Sequence, residues 1–536
     1  MTAEATHHLG HVARGGLLGL AGSGVAAVGA FVLALVVTRG FDAETAGSFF
    51  ATTTLFTLLA TASGLGVDAG LARFLLRHEA RDASHDVRRT LRLAIGPAVG
   101  VASLLALVGT LLAGPVADLL GLGAGGDRLL RVVAVALPFA VAADLCLAAT
   151  RALGRIRTTV GVDRILRTVV QLGTALLVAT LGGGPVLLVA GWALAYVLSA
   201  VVAVVLLRRF LASRQPTGPT TGPTSHPTST LPEPDLARSF WSFTWPRGVA
   251  GLAQASVQKA DIVLVAILLS PAHAAVYTAA TRFVAVGQMA NQAIYQVLQP
   301  RFTAILITED RATLRTVFGV STTWGMVLIW PLYLVVACSP VLYLSLFGDS
   351  YADATGAVVV VVVMALTMLV SIAAGPVDTL LLMAGRSGLS MTNALVAVAL
   401  DVGLLLLLLP RIGIAGAAIA WAVAVLARSG LAFWQVRRHV GVSPLLRTQL
   451  GVALVPVACF VLPALALTAS GASGALPWLA VTLGSVLVYA AALRALRTRL
   501  SLDDLVAPLR RRAAAPADPT PTPSPAKELL PCASER

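Results

Sequence analysis

Two long apolar segments within residues 239–301 carry charged and amide side chains at positions where a lipid-facing helix would be apolar. A short turn, residues 269–273, joins them. The polar residues of the first segment are Arg247, Gln254, Gln258, Lys259 and Asp261. Those of the second are Arg282, Gln288, Asn291, Gln292 and Gln296. Ionisable groups in a spanning helix are costly and tend to face a bundle interior or a wet cavity. We therefore predict that both helices line the path of a polar or anionic cargo.

The amides of the second segment form a stripe. Gln288, Gln292 and Gln296 are spaced four residues apart, which places them on one helix face, and Asn291 lies beside them. A polar stripe on a spanning helix should face protein or water. Two interpretations remain open, which are contacts to sugar hydroxyls and hydrogen bonds between helices worth about 0.6–2 kcal/mol each.

Three cations in these segments, Arg247, Lys259 and Arg282, are candidate ligands of a pyrophosphate. A guanidinium suits phosphate because its planar fork can donate two parallel hydrogen bonds. Structural roles are the alternative: Lys259 and Asp261 could pair with other charges, and Arg247 could lie at the inner membrane interface.

Carboxylates at membrane depth are candidate proton or sodium sites. The candidates for ion coupling are Asp68, Asp144, Asp261, Asp378 and Asp401. Asp68 and Arg73 lie at the end of the second predicted span. The alternative to a functional role for Arg73 is that it anchors this end of the helix at the membrane interface. The sequence leaves the energy source open between a proton gradient, a sodium gradient and the membrane potential acting on an anionic cargo.

The amino-acid composition predicts the type of secondary structure that carries these polar and charged residues. Of 536 residues, 57% are hydrophobic and only 12% are charged, whereas soluble proteins have roughly 25% charged residues. The long apolar runs predict about 14 transmembrane helices of roughly 20 residues each. The fold class is therefore an all-α membrane protein of the cell membrane.

Arginines account for the net charge of +14 and cluster between the apolar runs. This is the positive-inside pattern, so we predict cytoplasmic N- and C-termini and no nucleic-acid partner. The connection after the fourth predicted span is assigned to the cytoplasm by its arginines, which include Arg151, Arg164 and Arg167.

Signals of an enzyme are missing from the sequence. Its four cysteines are far apart and show no metal or disulfide spacing. There is no Walker A sequence, zinc-site spacing or nucleophile elbow. We expect no catalytic residues, no bound metal and no cofactor.

A Pro/Thr/Ser/Gly-rich stretch divides the chain after six predicted spans. The expected organisation is a six-helix lobe at 1–208, a cytoplasmic linker at 209–237, and a second six-helix lobe at 238–438. Two extra transmembrane helices at 439–500 and a disordered cytoplasmic tail at 501–536 complete it.

Two short turns occupy the same position in the two lobes. DAETAGSF spans residues 42–49 and SPAHAAVY spans residues 270–277. Each joins the first and second helix of its lobe, and each has a small residue followed two positions later by an aromatic one. Internal repeats are common in transporters, whose binding sites lie at the repeat interface.

These turns resemble the G-P-x-x-x-G-x-[FY] turn of polysaccharide flippases in the multidrug/oligosaccharidyl-lipid/polysaccharide exporter superfamily. The positions that fit are Gly47, Phe49, Pro271 and Tyr277. The positions that depart are Asp42, Ala43, Ser270 and Ala275. KADIVLVAILLSP also resembles the family segment in which a basic residue and an aspartate, here Lys259 and Asp261, precede the turn.

The resemblance implies a flippase that moves lipid-linked oligosaccharide or polysaccharide precursors, carried on polyprenyl pyrophosphate, by alternating access. It implies two six-helix lobes around a central cavity, with two C-terminal helices outside them. Membrane lipids and the glycosyltransferases or polymerase of a glycan pathway are the expected partners.

Three alternatives remain. A drug or cation antiporter of the same superfamily usually has 12 spans and carboxylates in its first half. A lipid II flippase is a close relative. A membrane enzyme that polymerises or ligates glycans should have a large outside loop, which the short outside connections disfavour.

Overall fold

The computed structural model describes residues 3–79, 84–213, 233–307, 310–442, 446–471 and 474–495. The predicted tail at 501–536 and most of the predicted linker at 209–237 lie outside these residues. The described chain consists of helices joined by turns, which confirms the all-α class.

The residues that the structure describes before the predicted linker form nine α-helices and one π-helix. They are α1 (Ala3–Gly40), α2 (Ala43–Ser63), α3 (Val67–Glu79), α4 (Ser84–Leu111), α5 (Ala113–Leu119), α6 (Gly126–Ala152), α7 (Ile156–Thr159), the π-helix (Val160–Leu166), α8 (Arg167–Thr180) and α9 (Pro185–Ser213). The Asp42 carboxylate caps α2 by accepting hydrogen bonds from the Glu44 and Thr45 amides at 3.1 and 3.0 Å. The bond from Thr45 is the main reason that the pKa of Asp42 lies below its ordinary value.

The second half, after the predicted linker, contains the remaining helices. They are α10 (Glu233–Leu268), α11 (Pro271–Ile307), α12 (Arg311–Cys338), α13 (Pro340–Ser345), α14 (Asp349–Ala352), α15 (Ala357–Ala373), α16 (Val377–Met383), α17 (Ser387–Ile412), α18 (Ile414–His439), α19 (Leu446–Ala469) and α20 (Ala475–Ala495). The two segments singled out by sequence are α10 and α11, joined by the predicted turn.

The predicted number of about 14 spans is not confirmed. Among the described residues, eleven helices are long and apolar enough to cross a membrane, or twelve if the bent pair α15–α16 counts as one span. The two other predicted spans are helical but are not among these. One is α8, which has only 14 residues and follows the π-helix directly. The other is α11, which has 37 residues and carries the amide stripe.

Within each half, one helix packs against two others. In the first half, α6 packs against α4 and α9, and in the second half α15 and α17 pack against α18. The last two helices attach through α12, against which α19 packs. The Tyr489 hydroxyl of α20 donates to the Val327 carbonyl of α12 at 2.7 Å and so anchors this pair.

Contact between the halves depends mainly on α2. It packs against both α10 and α11, and α1 packs against α11. α10 and α11 therefore form the second-half side of the contact between the halves, where a site between two repeats is expected.

Candidate functional site

A chamber of about 490 Å³ lies between the two halves. Its walls are built by α1, α2, the π-helix, α8 and α9 on one side and mainly by α10 and α11 on the other, with Met364 of α15 and Trp421 of α18. Its charged lining residues are Asp163, Arg164, Arg167, Lys259, Asp261 and Arg282. Cations outnumber carboxylates in this lining, so the chamber suits an anionic ligand.

Lys259 and Arg282 are the cations contributed by the second half. Both are partly buried, and within the described part of the chain no carboxylate pairs with either of them. The Arg282 Nε atom is buried without a hydrogen-bond partner, and its guanidinium lies 5.3 Å from the centroid of the Phe50 ring. The two cations are near enough to repel each other, so an anion between them would relieve an unfavourable interaction.

Asp261 does not neutralise Lys259. Its carboxylate accepts hydrogen bonds from the Tyr277 hydroxyl at 2.7 Å and from the Ile262 amide at 2.9 Å. Asp401 of α17 is 2% exposed, has one carboxylate oxygen without a partner, and lies close enough to Asp261 for their charges to interact. Asp261 lines the chamber, whereas Asp401 does not.

Arg167 is the most heavily bonded cation of the first-half wall. Its guanidinium donates to Asp144 and Asp163, both at 2.8 Å, and stacks 4.4 Å from the centroid of the Tyr196 ring. Asp163 lies on the π-helix, and Arg167 begins α8 immediately after it. Short π-helical segments are rare and occur often at functional sites. Here the segment turns two charged side chains into the chamber.

A second cavity of about 610 Å³ adjoins the chamber, because Thr57, Asp163, Arg167 and Tyr196 line both. It lies toward the arginine-rich ends of the helices. The candidate residues that it contains are Asp68, Asp144 and Arg247. The Arg247 guanidinium is 4.6 Å from the centroid of the Phe243 ring. Arg247 is therefore separate from the Lys259 and Arg282 group.

A third cavity of about 230 Å³ lies in the second half, and Gln258 and Gln288 line both it and the chamber. The amide stripe of α11 opens onto it through Gln288, Asn291 and Gln292. Asp378 also lines it and pairs with Arg428 at 2.9 Å. The side chain of Gln296, the last residue of the predicted stripe, lies outside the described part of the structure.

A comparison of the amino-acid sequence with models of known protein families identifies the family of this chain. Residues 12–306 match the sequence model described as "Polysaccharide biosynthesis protein". The chain belongs to this family. The family prediction made from the two turns is thus confirmed. No curated protein sequence matches the chain.

Solved structures with the same fold are transporters. A structure described as "Lipid II flippase MurJ, inward closed conformation" has a TM-score of 0.66 at 10% identity and covers 91% of this chain and 98% of its own. An inward-facing multidrug resistance MATE family transporter of the MOP superfamily has a TM-score of 0.59 at 14% identity, covering 77% and 94%. A MOP superfamily transporter from Pyrococcus furiosus, whose description reports reverse polarity of its binding pocket, has a TM-score of 0.52 at 14% identity, covering 80% and 95%. The chain therefore shares its fold with these three proteins. Together with its many apolar helices, this makes it a multi-pass membrane protein of the polysaccharide biosynthesis family.

Sequence reasoning assigned Arg164 and Arg167 to a cytoplasmic connection, but the structure places both on the chamber wall. The signal was available in the spacing of Asp163, Arg167 and Gln171, which recur every four residues as the glutamines of α11 do. Arg428 was not identified from the sequence at all. Among the described residues, no group of three or more His, Cys, Asp or Glu side chains could hold a metal ion.

Proposed function

We propose that this chain translocates lipid-linked oligosaccharide or polysaccharide precursors across the cytoplasmic membrane by alternating access. The observation that carries the proposal is the unpaired Lys259 and Arg282 in the chamber between the halves. Family membership supports the proposal, because the family is described by its part in polysaccharide biosynthesis, and precursors of polysaccharides are the cargo proposed here.

The diphosphate of the cargo binds at Lys259 and Arg282 in this proposal. Arg282 supplies a bidentate fork and Lys259 a compact point charge. Arg164 faces them from the first half. Because the chamber is enclosed by apolar helices, each charge-assisted bond there is stronger than it would be in water. Binding of one anion by both halves also draws the halves together, as alternating access requires.

Other candidate residues have roles along the same path. Gln288, Asn291 and Gln292 contact sugar hydroxyls beside the chamber. Arg247 receives the head group in the second cavity, which adjoins the chamber at the arginine-rich ends of the helices.

We assign these ends and both termini to the cytoplasm, where glycosyltransferases deliver the cargo. A polymerase takes it up on the other side, and the polyprenyl chain stays among membrane lipids.

Ion coupling, in this proposal, uses Asp261 and Asp401. A buried carboxylate oxygen without a partner, as in Asp401, can take up a proton or help bind sodium. The geometry favours the other carboxylates less. Asp144 and Asp378 are each neutralised by an arginine, and Asp68 is exposed.

Two alternative cargoes, a cationic drug and lipid II, can be compared with the charge of the chamber lining. A cationic drug would meet a lining with excess positive charge, which disfavours the antiporter. Lipid II carries the same diphosphate linkage as other polyprenyl-linked glycans, so the chamber alone suits both.

The test is translocation in proteoliposomes. Fluorescent polyprenyl-pyrophosphate glycan, lipid II and a cationic dye are compared as cargo in the wild type, Lys259→Ala and Arg282→Ala. We expect the glycan to be moved and each variant to lower its rate at least about tenfold, since a hydrogen bond to a charged group contributes about 1.5–3 kcal/mol. Arg411→Ala, at an exposed arginine that ends α17, controls for loss of charge alone.

Three results would contradict the proposal. Unchanged rates in both chamber variants would remove the diphosphate site. Movement of lipid II alone would make the protein a lipid II flippase. Movement of the dye alone would make it an antiporter.

A further inference from the structure

The third cavity is bounded by a broken helix. Its walls are mainly α10, α11, α18 and the bent pair α15–α16, whose axes differ by 42°, with Tyr333 of α12 and Ala397 of α17. The break at Gly375 and Pro376 brings the start of α16, with Asp378, to the cavity wall. In transporters, interrupted helices surround substrate and ion sites, because irregular backbone at membrane depth needs a polar cavity beside it.

Among the residues that the structure describes, three buried polar atoms of this cavity have no hydrogen-bond partner. They are Asn291 Oδ1, Asp378 Oδ1 and Arg428 Nε. Buried polar atoms in proteins are almost always hydrogen-bonded, and each exception needs an explanation. Here two acceptors and one donor are left unmet on walls contributed by three different elements. Each belongs to a side chain that lines the cavity, so a small shift of that side chain would let a ligand that both donates and accepts hydrogen bonds satisfy it.

The charges of this cavity are balanced, unlike those of the chamber. Arg428 pairs with Asp378 at 2.9 Å and donates to the Gln254 amide oxygen at 3.1 Å. The hydroxyls of Ser371 and Ser429 lie 3.1 Å apart and join α15 to α18. Amides and hydroxyls can each donate and accept, which matches the hydroxyls of a sugar. A diphosphate, which only accepts, fits the cationic chamber better.

We propose that this cavity is a sugar-binding subsite that holds one monosaccharide of the cargo while the diphosphate occupies the chamber. The inference rests on the proposed function. Gln258 and Gln288 line both spaces, so a head group can extend from one into the other. The chamber then recognises the charge that all lipid-diphosphate cargoes share, and the subsite discriminates between sugars. A site that hydrogen-bonds a hydroxyl rejects an analogue lacking it, because its own buried groups are left unpaired.

The test compares binding of lipids that differ only in the sugar. The full chain in nanodiscs is titrated with bare polyprenyl pyrophosphate and with the same lipid bearing one glucose, one N-acetylglucosamine or one glucuronic acid. We expect at least one sugar-bearing lipid to bind about tenfold tighter than the bare lipid. Ser371→Ala combined with Ser429→Ala, and separately Asn291→Leu, should each lower this affinity ratio by about fivefold, the effect of losing one neutral hydrogen bond.

A matched control is Ser256→Ala in α10, whose hydroxyl donates only to the Leu252 carbonyl of its own helix and does not line the cavity. It should keep the wild-type ratio. Thermal unfolding of each variant separates lost binding from lost folding, and the serine pair remains informative if the leucine variant does not fold.

The outcomes separate the two proposals. Equal wild-type affinity for the bare and all sugar-bearing lipids, or an unchanged ratio in both cavity variants, would overturn the subsite and leave the cavity to ordered water. The diphosphate site would survive either result if Lys259→Ala still weakened binding of the bare lipid. Failure of the wild type to bind any of these lipids would overturn the proposed function itself.

Discussion

Gly47 of α2 packs directly against the backbone carbonyl of Pro271 at the start of α11, with no room for a Cβ atom between them. The two repeated turns, residues 42–49 and 270–277, therefore touch. Arg39 reinforces this contact by donating to the Ser345 and Leu346 carbonyls of the second half at 2.6 and 2.9 Å. The halves are closed against each other at this end of the chamber.

Glycines also close the opposite end. Gly248 of α10 lies against Leu65 and Gly66, and a Cβ atom on Gly248 would be only 2.6 Å from the Leu65 carbonyl carbon. Both Leu65 and Gly66 have positive φ values, 50° and 69°, at the break between α2 and α3. The halves thus touch at two contacts that leave no space for a Cβ atom. Alternating access, as proposed above, would require each contact to open in turn.

Gly47→Ala should favour a state that is open at the turn end, because the added methyl group cannot fit against the Pro271 backbone. Accessibility is measured with a membrane-impermeant thiol reagent on a single cysteine at Thr54, a chamber-lining residue, in a cysteine-free background. Labelling from the turn end should rise several-fold. Gly96→Ala, at a glycine with open space around it, is the control, and equal labelling in both variants would refute the role of this contact.

Gly248→Ala should have the opposite effect. Its methyl group would separate α10 from the break after α2 and open the arginine-rich end. In inverted vesicles the same Thr54 cysteine should then label faster than in the wild type, while labelling from the turn end should fall. If labelling of the Thr54 cysteine increases from both sides, the substitution has loosened the whole fold and has not shifted the equilibrium between states open at one end or the other.

Arg167→Ala should reduce both stability and translocation. The substitution leaves Asp144 and Asp163 without their shared cation and removes the stack on Tyr196. Breaking one such charge-assisted bond costs about 1.5–3 kcal/mol, which thermal unfolding of the purified protein should detect.

Arg167→Lys separates charge from geometry. It keeps the positive charge but cannot hold two carboxylates in a planar fork, so an intermediate stability is expected. Asp144→Asn is a milder change, because 52% of the Asp144 side chain is exposed. Wild-type stability in Arg167→Ala would show that the network contributes nothing measurable.

Asp401→Asn should abolish the dependence of translocation on the coupling ion. Removal of its charge leaves Asp261, held by Tyr277, without an acidic neighbour. Flux is measured under an imposed sodium gradient, a pH gradient and a membrane potential, each applied separately. The exposed Asp68→Asn is the control. A variant that responds to every gradient as the wild type does would remove Asp401 from the coupling site.

Local sequence determined the helices and which residues share a helix face. Apolar runs and scarce charge dictate an all-helical membrane protein, and the four-residue spacing of Gln288 and Gln292 places both on one face of α11. The turns around Gly47 and Pro271 were sufficient to predict the family. These properties depend on neighbours within a few turns of the chain, so they can be inferred without the fold.

The tertiary structure decided which charges meet. It placed Arg164 and Arg167 in the chamber, moved Arg247 to a separate cavity, and gave Asp378 the partner Arg428. Spacing along one helix cannot predict such pairings, because each partner comes from a helix distant in sequence and arrives through packing. The four-residue spacing of Asp163, Arg167 and Gln171 indicates a shared helix face, but it does not say whether that face meets the cytoplasm or, as here, the interior between the two halves.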